Sequence, residues 1–283
     1  MANIIALIDG STYTASVVDN AAFAAEKLGE AVNLVHVIGR RDFDSAPADL
    51  SGNLDLGERE ELLKELADLD ERKAKLARKR GRHVLDDAAA RLRSGSSDIV
   101  VKDELVLGDL LETIEAREGD ADLVVIGKRG EAADFAQLHL GSNLERVLRR
   151  TKRPVLVAAR SFRPIRRFLI AYDGGASIAK AIDWLQTSPL LKGCPCELVC
   201  VSDRKTHTEL DHATEMLRHA GYDATSRLIA GEPDEIIEKE AEREDIDLVV
   251  MGAYGHSRIR SFLIGSTTSE IVRGCYRPVL LFR

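Results

Sequence analysis

The chain contains the same pattern twice, and this internal repeat restricts the fold more than any other feature of the sequence. The stretch IIALIDG at residues 4–10 returns as FLIAYDG at 168–174, and NLVHV at 33–37 returns as ELVCV at 197–201, both at an offset of 164. Three later blocks return at an offset of 124 or 125: residues 122–127 at 247–252, 141–142 at 265–266, and 153–156 at 277–280. Five matched blocks in one order indicate two copies of one domain.

The two offsets differ because the first copy carries about 40 additional residues between its second and fourth strands. We predict a first domain over residues 1–160, with a long helical insertion near 57–92, and a second domain over 164–283. Four leucines in the insertion fall at helical spacing: Leu62, Leu66, Leu69 and Leu76. They predict one long amphipathic helix that covers the sheet, with Gly81 as its weak point.

Residues 72–82 of this insertion are strongly basic, with seven Lys or Arg among eleven positions. We interpret this stretch as a solvated helix face rather than as a nucleic-acid contact. A coiled coil dedicated to a partner protein would need more heptads than the insertion offers.

Short apolar runs alternate with helical stretches in both copies. In the first copy the runs are residues 4–8, 34–38, 99–101, 123–126 and 155–158, and in the second they are 168–172, 198–201, 226–229, 248–251 and 279–282. Continuous apolar runs suit strands that are buried on both faces of a parallel sheet. With helices between them, such as residues 15–28 and 110–117, they predict an open α/β sheet with right-handed crossovers.

Composition and charge exclude several classes of protein. The 283 residues carry 40 Lys and Arg against 47 Asp and Glu, a net charge of −7 that gives no overall basic footprint for nucleic acid. No apolar run approaches the roughly 18 residues of a membrane span, and the N-terminal residues do not resemble a signal peptide. We therefore expect a cytoplasmic protein with no nucleic-acid or membrane partner.

The cysteines and histidines do not indicate a metal site. The four cysteines form neither a disulfide framework nor a zinc pair, and we expect them to be buried: Cys194, Cys196, Cys200 and Cys275. His36 lies on the second strand, where the repeat has a cysteine, so we expect it in the core. His256 directly follows Gly255 in the second copy. It either contacts a phosphate or is an ordinary exposed loop residue.

Glycines follow the fourth strand of the second copy in a pattern that suits a phosphate group. Gly252 and Gly255 come at the end of the strand, and Gly265 follows after nine residues, directly before a predicted helix. Glycines let the backbone approach a ligand closely, and the free amides of a helix N-terminus bind anions. The next two residues, Ser266 and Thr267, add hydroxyl groups at the same place.

The assembled pattern resembles the universal stress protein family. The resemblance rests on Gly-x2-Gly-x9-Gly-Ser/Thr, on the aspartate that closes the first strand and on the Pro-Val-Leu start of the last strand. It covers nearly the whole chain twice, and the long helix makes it similar to the tandem E-type members. It implies two tandem open five-stranded parallel sheets in the order 3-2-1-4-5, with helices on both faces, and ATP as the ligand, with or without magnesium.

The resemblance also implies roles for residues of the second copy. Asp173 would meet the adenine and ribose end, and Val201 would contact the base. The phosphates would lie among Gly252, Gly255, Gly265, Ser266 and Thr267.

The first copy departs from the family pattern. Its equivalent residues are Asp9, Val37, Gly127, Gly130, Gly141 and Ser142. Ten residues rather than nine separate its second and third glycines, and no further hydroxyl follows the serine. The additional residue either bulges harmlessly or closes the pocket. Two alternatives therefore stay open for this copy: a second nucleotide site, or a degenerate domain kept for packing and pairing.

The sequence contains no Walker P-loop, so no lysine is built in to meet the terminal phosphates. It also offers no evident catalytic base, and fast phosphoryl transfer needs both positioning and charge neutralisation. We expect a regulatory protein of the stress response that binds ATP or a related adenine nucleotide, mainly in the second copy, with slow hydrolysis at most. The alternative is an interaction scaffold, or a binder of another small ligand, with both nucleotide sites idle.

The last strands of the two copies suit pairing with each other. Residues 155–157 and 279–281 are strongly apolar, and a proline introduces each of them. An apolar edge strand is a liability unless it is covered, and equivalent surfaces meet naturally about a pseudo-twofold axis. We predict an intrachain pseudo-dimer paired through these strands. Contact through helices is the alternative, and a homodimer of whole chains stays open.

Overall fold

The computed structural model describes residues 3–39, 56–95, 98–130, 141–202, 208–253 and 265–283. The predictions for Gly255, for His256 and for the hydroxyl groups of Ser266 and Thr267 lie outside the described part of the chain.

The N-terminal half alternates strands and helices, as its apolar runs predict. Its strands are β1 (Asn3–Leu7), β2 (Ala31–Ile38), β3 (Val101–Leu107), β4 (Ala121–Gly127) and β5 (Val155–Ala158). Its helices are α1 (Thr14–Leu28), α2 (Leu56–Gly95), α3 (Leu110–Glu115) and α4 (Ser142–Arg150), with a 3₁₀ turn at Glu118–Asp120.

The C-terminal half repeats this order without the long helix. Its strands are β6 (Phe168–Ala171), β7 (Cys196–Val201), β8 (Ala224–Ile229), β9 (Leu248–Gly252) and β10 (Val279–Phe282). Its helices are α5 (Ala176–Thr187), α6 (Thr208–His219), α7 (Pro233–Ala241) and α8 (Ser266–Gly274).

The ten strands form one sheet in the order β3-β2-β1-β4-β5-β10-β9-β6-β7-β8. Each half therefore has the predicted order 3-2-1-4-5, and the strands within a half are parallel. The halves join where β5 and β10 pair antiparallel, with Leu156 opposite Leu280. This confirms the predicted pairing of the last strands, which fuses the two expected sheets into one.

Helices cover both faces of the sheet, and the two faces have separate cores. The first core holds the buried side chains of α1, α2, α5 and α6, and the second holds those of α3, α4, α7 and α8. Each core runs across the seam between the halves, since Leu156 and Leu280 belong to the first and Val155 and Val279 to the second. None of the helices in the described ranges has the length and apolar character needed to cross a bilayer.

The third strand lies later than the sequence analysis placed it. We predicted residues 99–101, whereas β3 spans Val101–Leu107. The prediction was wrong because it required a continuous apolar run, while β3 is an edge strand whose sequence includes Lys102, Asp103 and Glu104. Charged side chains of this kind protect a sheet edge from pairing with another chain.

Helix α2 runs unbroken through Gly81, so the predicted weak point was wrong. Gly81 is buried, and a Cβ atom there would lie 2.6 Å from Leu105 Cδ1 and 2.8 Å from His36 Cδ2. The missing side chain lets the helix pack directly on β2 and β3. The Nδ1 atom of His36 lies 2.8 Å from the carbonyl oxygen of Ile8, and this histidine is half-buried rather than in the core where we expected it.

Two carboxyl groups meet at the amino end of the N-terminal strands. Glu30 follows the left-handed glycine that ends α1, and its side chain lies beside that of Asp122 at the start of β4. Burial first, and then the neighbouring Asp122 carboxyl, raise the pKa of Glu30 from its ordinary value of 4.5 to about 8. The pair is therefore held together best when it carries a proton.

We expect Glu30→Gln to remove a loss of stability that the parent protein suffers on going from pH 5 to pH 8. A carboxyl whose pKa is raised in the folded state binds its proton more tightly there than in the unfolded chain, so stability falls as the pH rises through this window. Urea unfolding at pH 5 and pH 8 measures the effect, with the exposed Glu26→Gln as the control. Identical pH dependence in all three proteins would contradict the assignment.

Candidate functional site

The predicted site residues that the structure describes gather at the carboxyl edge of the sheet, beside the first strand of each half. In the N-terminal half β1 lies between β2 and β4, and in the C-terminal half β6 lies between β7 and β9. The helices that follow β1 and β6 pack on the first core, whereas those that follow β4 and β9 pack on the second. The chain thus leaves the two neighbouring strands in opposite directions, which makes a crevice where open α/β sheets bind ligands.

The aspartates that follow β1 and β6 stand in matching loops. Asp9 Oδ1 accepts a hydrogen bond from the backbone N–H of Ser11 at 3.0 Å, and Asp173 Oδ1 accepts one from Gly175 at 2.9 Å. The residues between them, Gly10 and Gly174, have φ values of 81° and 72°, which favour glycine. Each carboxylate is thereby fixed at the mouth of its crevice.

In the C-terminal half the glycine residues bring β9 and α8 together. Gly252 ends β9, and the N–H of Gly265 donates to the carbonyl of Ala253 at 3.2 Å. Thr268 Oγ1 donates to the carbonyl of Gly252 at 3.2 Å, which ties the first turn of α8 to the strand end. Gly265 is the N-cap of α8 and supplies no side-chain cap, and the first turn holds no acidic residue. The amides at this end of the helix suit an anion.

In the N-terminal half the described glycines of the site pack closely against other protein atoms. A Cβ atom on Gly141 would lie 3.2 Å from the carbonyl oxygen of Lys128, and one on Gly130 would lie 3.0 Å from Asp9 Oδ2. The side chain of Tyr13 packs against Gly127, where an added Cβ would be 2.8 Å from the tyrosine Cβ. The predicted residues are therefore close together, and these glycines allow the loop to pack against the rest of the half.

The helix that follows this loop is also less suited to an anion. Ser142 opens α4 with an exposed side chain, but Glu145 adds a negative charge to the first turn. A carboxylate at a helix N-terminus competes with a phosphate for the same positive end of the dipole.

Lys128 has a role that the sequence analysis missed. Its side chain is buried and crosses the seam, and Nζ donates to the carbonyl of Cys275, the C-cap of α8, at 2.6 Å. Burial lowers the pKa of Lys128 to about 8. The lysine of the first glycine loop thus holds the two halves together. The only signal in the sequence is that the second copy has Ala253 at the equivalent position.

The predicted base contacts lie on the face of the second core. Val37 near the end of β2 and Val201 at the end of β7 are half-buried against the second core. Helix α8 packs on the same core. In the C-terminal half, Val201, the end of β9 and the start of α8 therefore border the crevice from one face, with Asp173 at its mouth.

A cavity of about 460 Å³ lies on the opposite face, between α5 and α6. Its lining includes Tyr172 and Gly174, which flank Asp173 in the sequence, and Tyr172 Oη donates to the carbonyl of Glu209 at 3.1 Å. The remaining lining residues are Ala179, Ile182, Asp183, Thr208, His212, Ala213 and Met216. None of the predicted site residues lines this cavity. No motif in the sequence marks this cavity, because its lining residues are spread over the loop after β6 and two separate helices.

The four cysteines are free and buried, as expected. Within the described ranges, no cluster of three or more His, Cys, Asp or Glu side chains is arranged to hold a metal ion.

The sequence matches one protein family over most of its length. The profile of the universal stress protein family matches residues 1–159 and 203–283. A universal stress protein of Synechocystis sp. is 39% identical over 289 aligned positions, and the alignment spans all of both chains.

Solved structures with the same description share the fold. The crystal structure of a universal stress protein from Archaeoglobus fulgidus has a TM-score of 0.72 at 19% identity and covers 99% of this chain and 96% of that one. A putative universal stress protein from Pseudomonas aeruginosa has a TM-score of 0.62 at 17% identity, over 100% and 93% of the two chains. A universal stress protein crystallised with cAMP covers 42% of this chain and 98% of that one, with a TM-score of 0.36 at 22% identity. That fit is too loose to place a ligand here.

Proposed function

The chain belongs to the universal stress protein family, and we propose that it binds ATP or a related adenine nucleotide, mainly in its C-terminal half. In this proposal it is a cytoplasmic regulator of a stress response whose nucleotide occupancy sets its conformation or its preference for partners. Hydrolysis is slow or absent.

The observation that carries the proposal is the arrangement around the crevice between β6 and β9. The carboxylate of Asp173 is fixed at its mouth, and Val201 and the N-terminal amides of α8 border it from the face of the second core. An acceptor for ribose hydroxyls, an apolar contact for a base and an anion site at a helix N-terminus are the three chemistries that a nucleotide needs.

Two differences between the halves support the preference for the C-terminal one. The offset of 164 places Ser177 at the position of Tyr13, and a serine occupies less of the space beside the glycine than a tyrosine ring does. The first turn of α8 lacks the acidic residue that Glu145 contributes to α4. Both differences favour a phosphate chain beside Gly252 over one beside Gly127.

Magnesium, if present, would arrive with the nucleotide in this proposal. Mg²⁺ commonly binds through substrate phosphates and retains several waters, so it does not need a dedicated cluster of protein ligands. The predicted set of protein contacts is the same with or without it.

We expect purified protein to bind ATP and to turn it over far below the roughly 10 s⁻¹ of a typical enzyme. The reason is that the loop after β9 contains no lysine for the terminal phosphates, and Lys128 of the other loop is committed to the seam. Mass spectrometry of the denatured protein detects co-purified nucleotide, calorimetry measures ATP binding, and release of phosphate from radiolabelled ATP measures turnover. Turnover at enzymatic rates would contradict the proposal, and so would absence of binding.

A second candidate function is the binding of another small ligand, and the cavity between α5 and α6 favours it. Its volume of about 460 Å³ lies within the range of small-molecule sites, and its lining combines apolar residues with Asp183 and His212. Mass spectrometry that finds an apolar metabolite instead of a nucleotide would favour this candidate. Loss of that metabolite in Ala213→Trp, which fills the cavity, would locate it.

A further inference from the structure

Helix α2 consists of an anchored half and an exposed half. The anchored half packs on the sheet through Leu85, Ala88, Ala89 and Leu92. Arg91 holds it to α1 by two hydrogen bonds of 2.7 Å to the carboxylate of Asp19, and Arg82 pairs with Asp103 of β3. The exposed half, residues 62–80, extends the same helix with most of its side chains in solvent. The expected covering of the sheet is therefore limited to the anchored half.

Leucines form a stripe along the exposed half. Leu62, Leu69 and Leu76 are exposed by 38%, 46% and 68% and recur every seven residues. At 3.6 residues per turn, the stripe lies about 150° around the helix from the residues that pack on the sheet. It thus faces away from the body of the protein, and exposed leucines that recur at heptad spacing on one helix face are typical of an interaction surface.

The charges of this helix are divided at its middle. Residues 58–71 hold seven acidic and two basic side chains, whereas residues 72–82 hold seven basic and no acidic ones. The helix dipole does not account for this division, because it acts only on the first and last turns, and the basic block lies in the middle of a helix that ends at Gly95.

We propose that two copies of the chain associate through the exposed halves of α2, paired antiparallel about a twofold axis near Leu69. The leucine stripe is symmetric about Leu69, so an antiparallel arrangement brings the two stripes together. It also places the acidic block of each copy along the basic block of the other, with Glu65 of one copy beside Arg72 of the second. A parallel arrangement would set like charges against each other along the whole contact.

The anchoring of α2 makes so short an interface sufficient. An isolated pair of helices with three leucines each would lose most of its contact energy in ordering the chains. Here the anchored half already fixes the helix in both copies, so that cost is largely removed before association. The surface is distinct from the seam between β5 and β10, which joins the halves within one chain.

Sedimentation velocity over a concentration range of about 1–500 µM tests the association, since this range covers the micromolar dissociation constants of weak, reversible dimers. We expect a monomer–dimer equilibrium in the parent protein. Leu69→Glu should lower the association constant roughly 100-fold or more, because two carboxylates would face each other at the axis. Val100→Glu is the matched control: it places the same charge on an apolar residue that is 62% exposed elsewhere, and should leave the equilibrium unchanged.

Charge exchange tests the antiparallel orientation. Glu65 and Arg72 are seven residues apart and do not pair within one helix, so their exchange reports on contacts between copies. Glu65→Arg and Arg72→Glu should each weaken association about 10-fold, in keeping with the small energies of exposed ion pairs. An equimolar mixture of the two variants should recover the parent affinity, because each mixed dimer restores both pairs.

Three results would overturn the proposal: a monomer at every concentration, a Leu69→Glu variant that associates like the parent, or a Glu65→Arg variant that associates more tightly. The last would indicate a parallel pair, in which residue 65 would lie beside Asp70. Circular dichroism and thermal unfolding of each variant show whether α2 and the body remain folded, and Leu76→Glu provides a second disruption of the same stripe.

Discussion

The Leu280→Lys variant is expected to lose at least about 4 kcal/mol of its free energy of unfolding, because it combines a lost buried leucine with a buried charge. Leu280 is completely buried and stands opposite Leu156 at the seam, with helices on both faces of the sheet. A lysine at this position would project from the sheet into the first core, where its ammonium group would be buried among apolar side chains. Leu156→Lys should have the same effect from the other side of the pair.

Urea unfolding, small-angle scattering and limited proteolysis at residues 161–164 measure the effect. Leu280→Met is the matched control, since a swap of similar volume costs less than about 1.5 kcal/mol. We expect the lysine variants to expand or aggregate and to be cut at the link, while the methionine variant behaves like the parent. If both lysine variants stay compact, monodisperse and protease-resistant, the β5–β10 seam does not hold the halves together.

The strand order and the seam could be predicted from sequence because their signals are local. The central strands are buried on both faces, so they appear as continuous apolar runs, and the two apolar edges β5 and β10 had to be covered by something. The position of β3 was predicted wrongly because β3 is an edge strand that pairs only with β2. Its exposed positions can hold charged residues, so it does not appear as a continuous apolar run. The same reasoning explains why only part of β8, the other edge, was predicted.

The close packing around individual glycines, both in α2 and in the candidate site, could not be predicted because it depends on residues that are distant in the sequence. Gly81 was interpreted as a weak point of a helix, but its neighbours Leu105 and His36 become visible only in the folded sheet. Glycine spacing located both loops, yet it does not distinguish a glycine that approaches a ligand from one that approaches the protein itself. The contact of Gly127 with Tyr13 is of the second kind, and in our proposal it makes the N-terminal half the weaker candidate for a nucleotide site.

The Gly252→Val variant is expected to raise the dissociation constant for ATP at least ~100-fold, because its branched side chain would occupy the place of the phosphates. The extended backbone at this position suits a valine. Gly252 is the last residue of β9 and pairs in register with Phe282, and valine is a favourable residue in extended backbone. Isothermal calorimetry with ATP measures the loss. Thermal unfolding of the variant and the parent shows that both are folded at the temperature of the binding measurement.

The equivalent change in the N-terminal half is the matched control. A Cβ atom on Gly127 would lie 2.8 Å from the Cβ atom of Tyr13, so Gly127→Val is best made together with Tyr13→Gly, and glycine is well tolerated at this N-cap position of α1. This double variant should bind ATP within about 2-fold of the parent, since the N-terminal loop is not the principal site in our proposal.

Asp173→Asn provides an independent test of the C-terminal site. It keeps the Oδ1 acceptor for the N–H of Gly175 but removes the charge, and should weaken ATP binding about 10-fold without unfolding the loop. If Gly252→Val and Asp173→Asn bind like the parent while the double variant does not, the nucleotide site belongs to the N-terminal half.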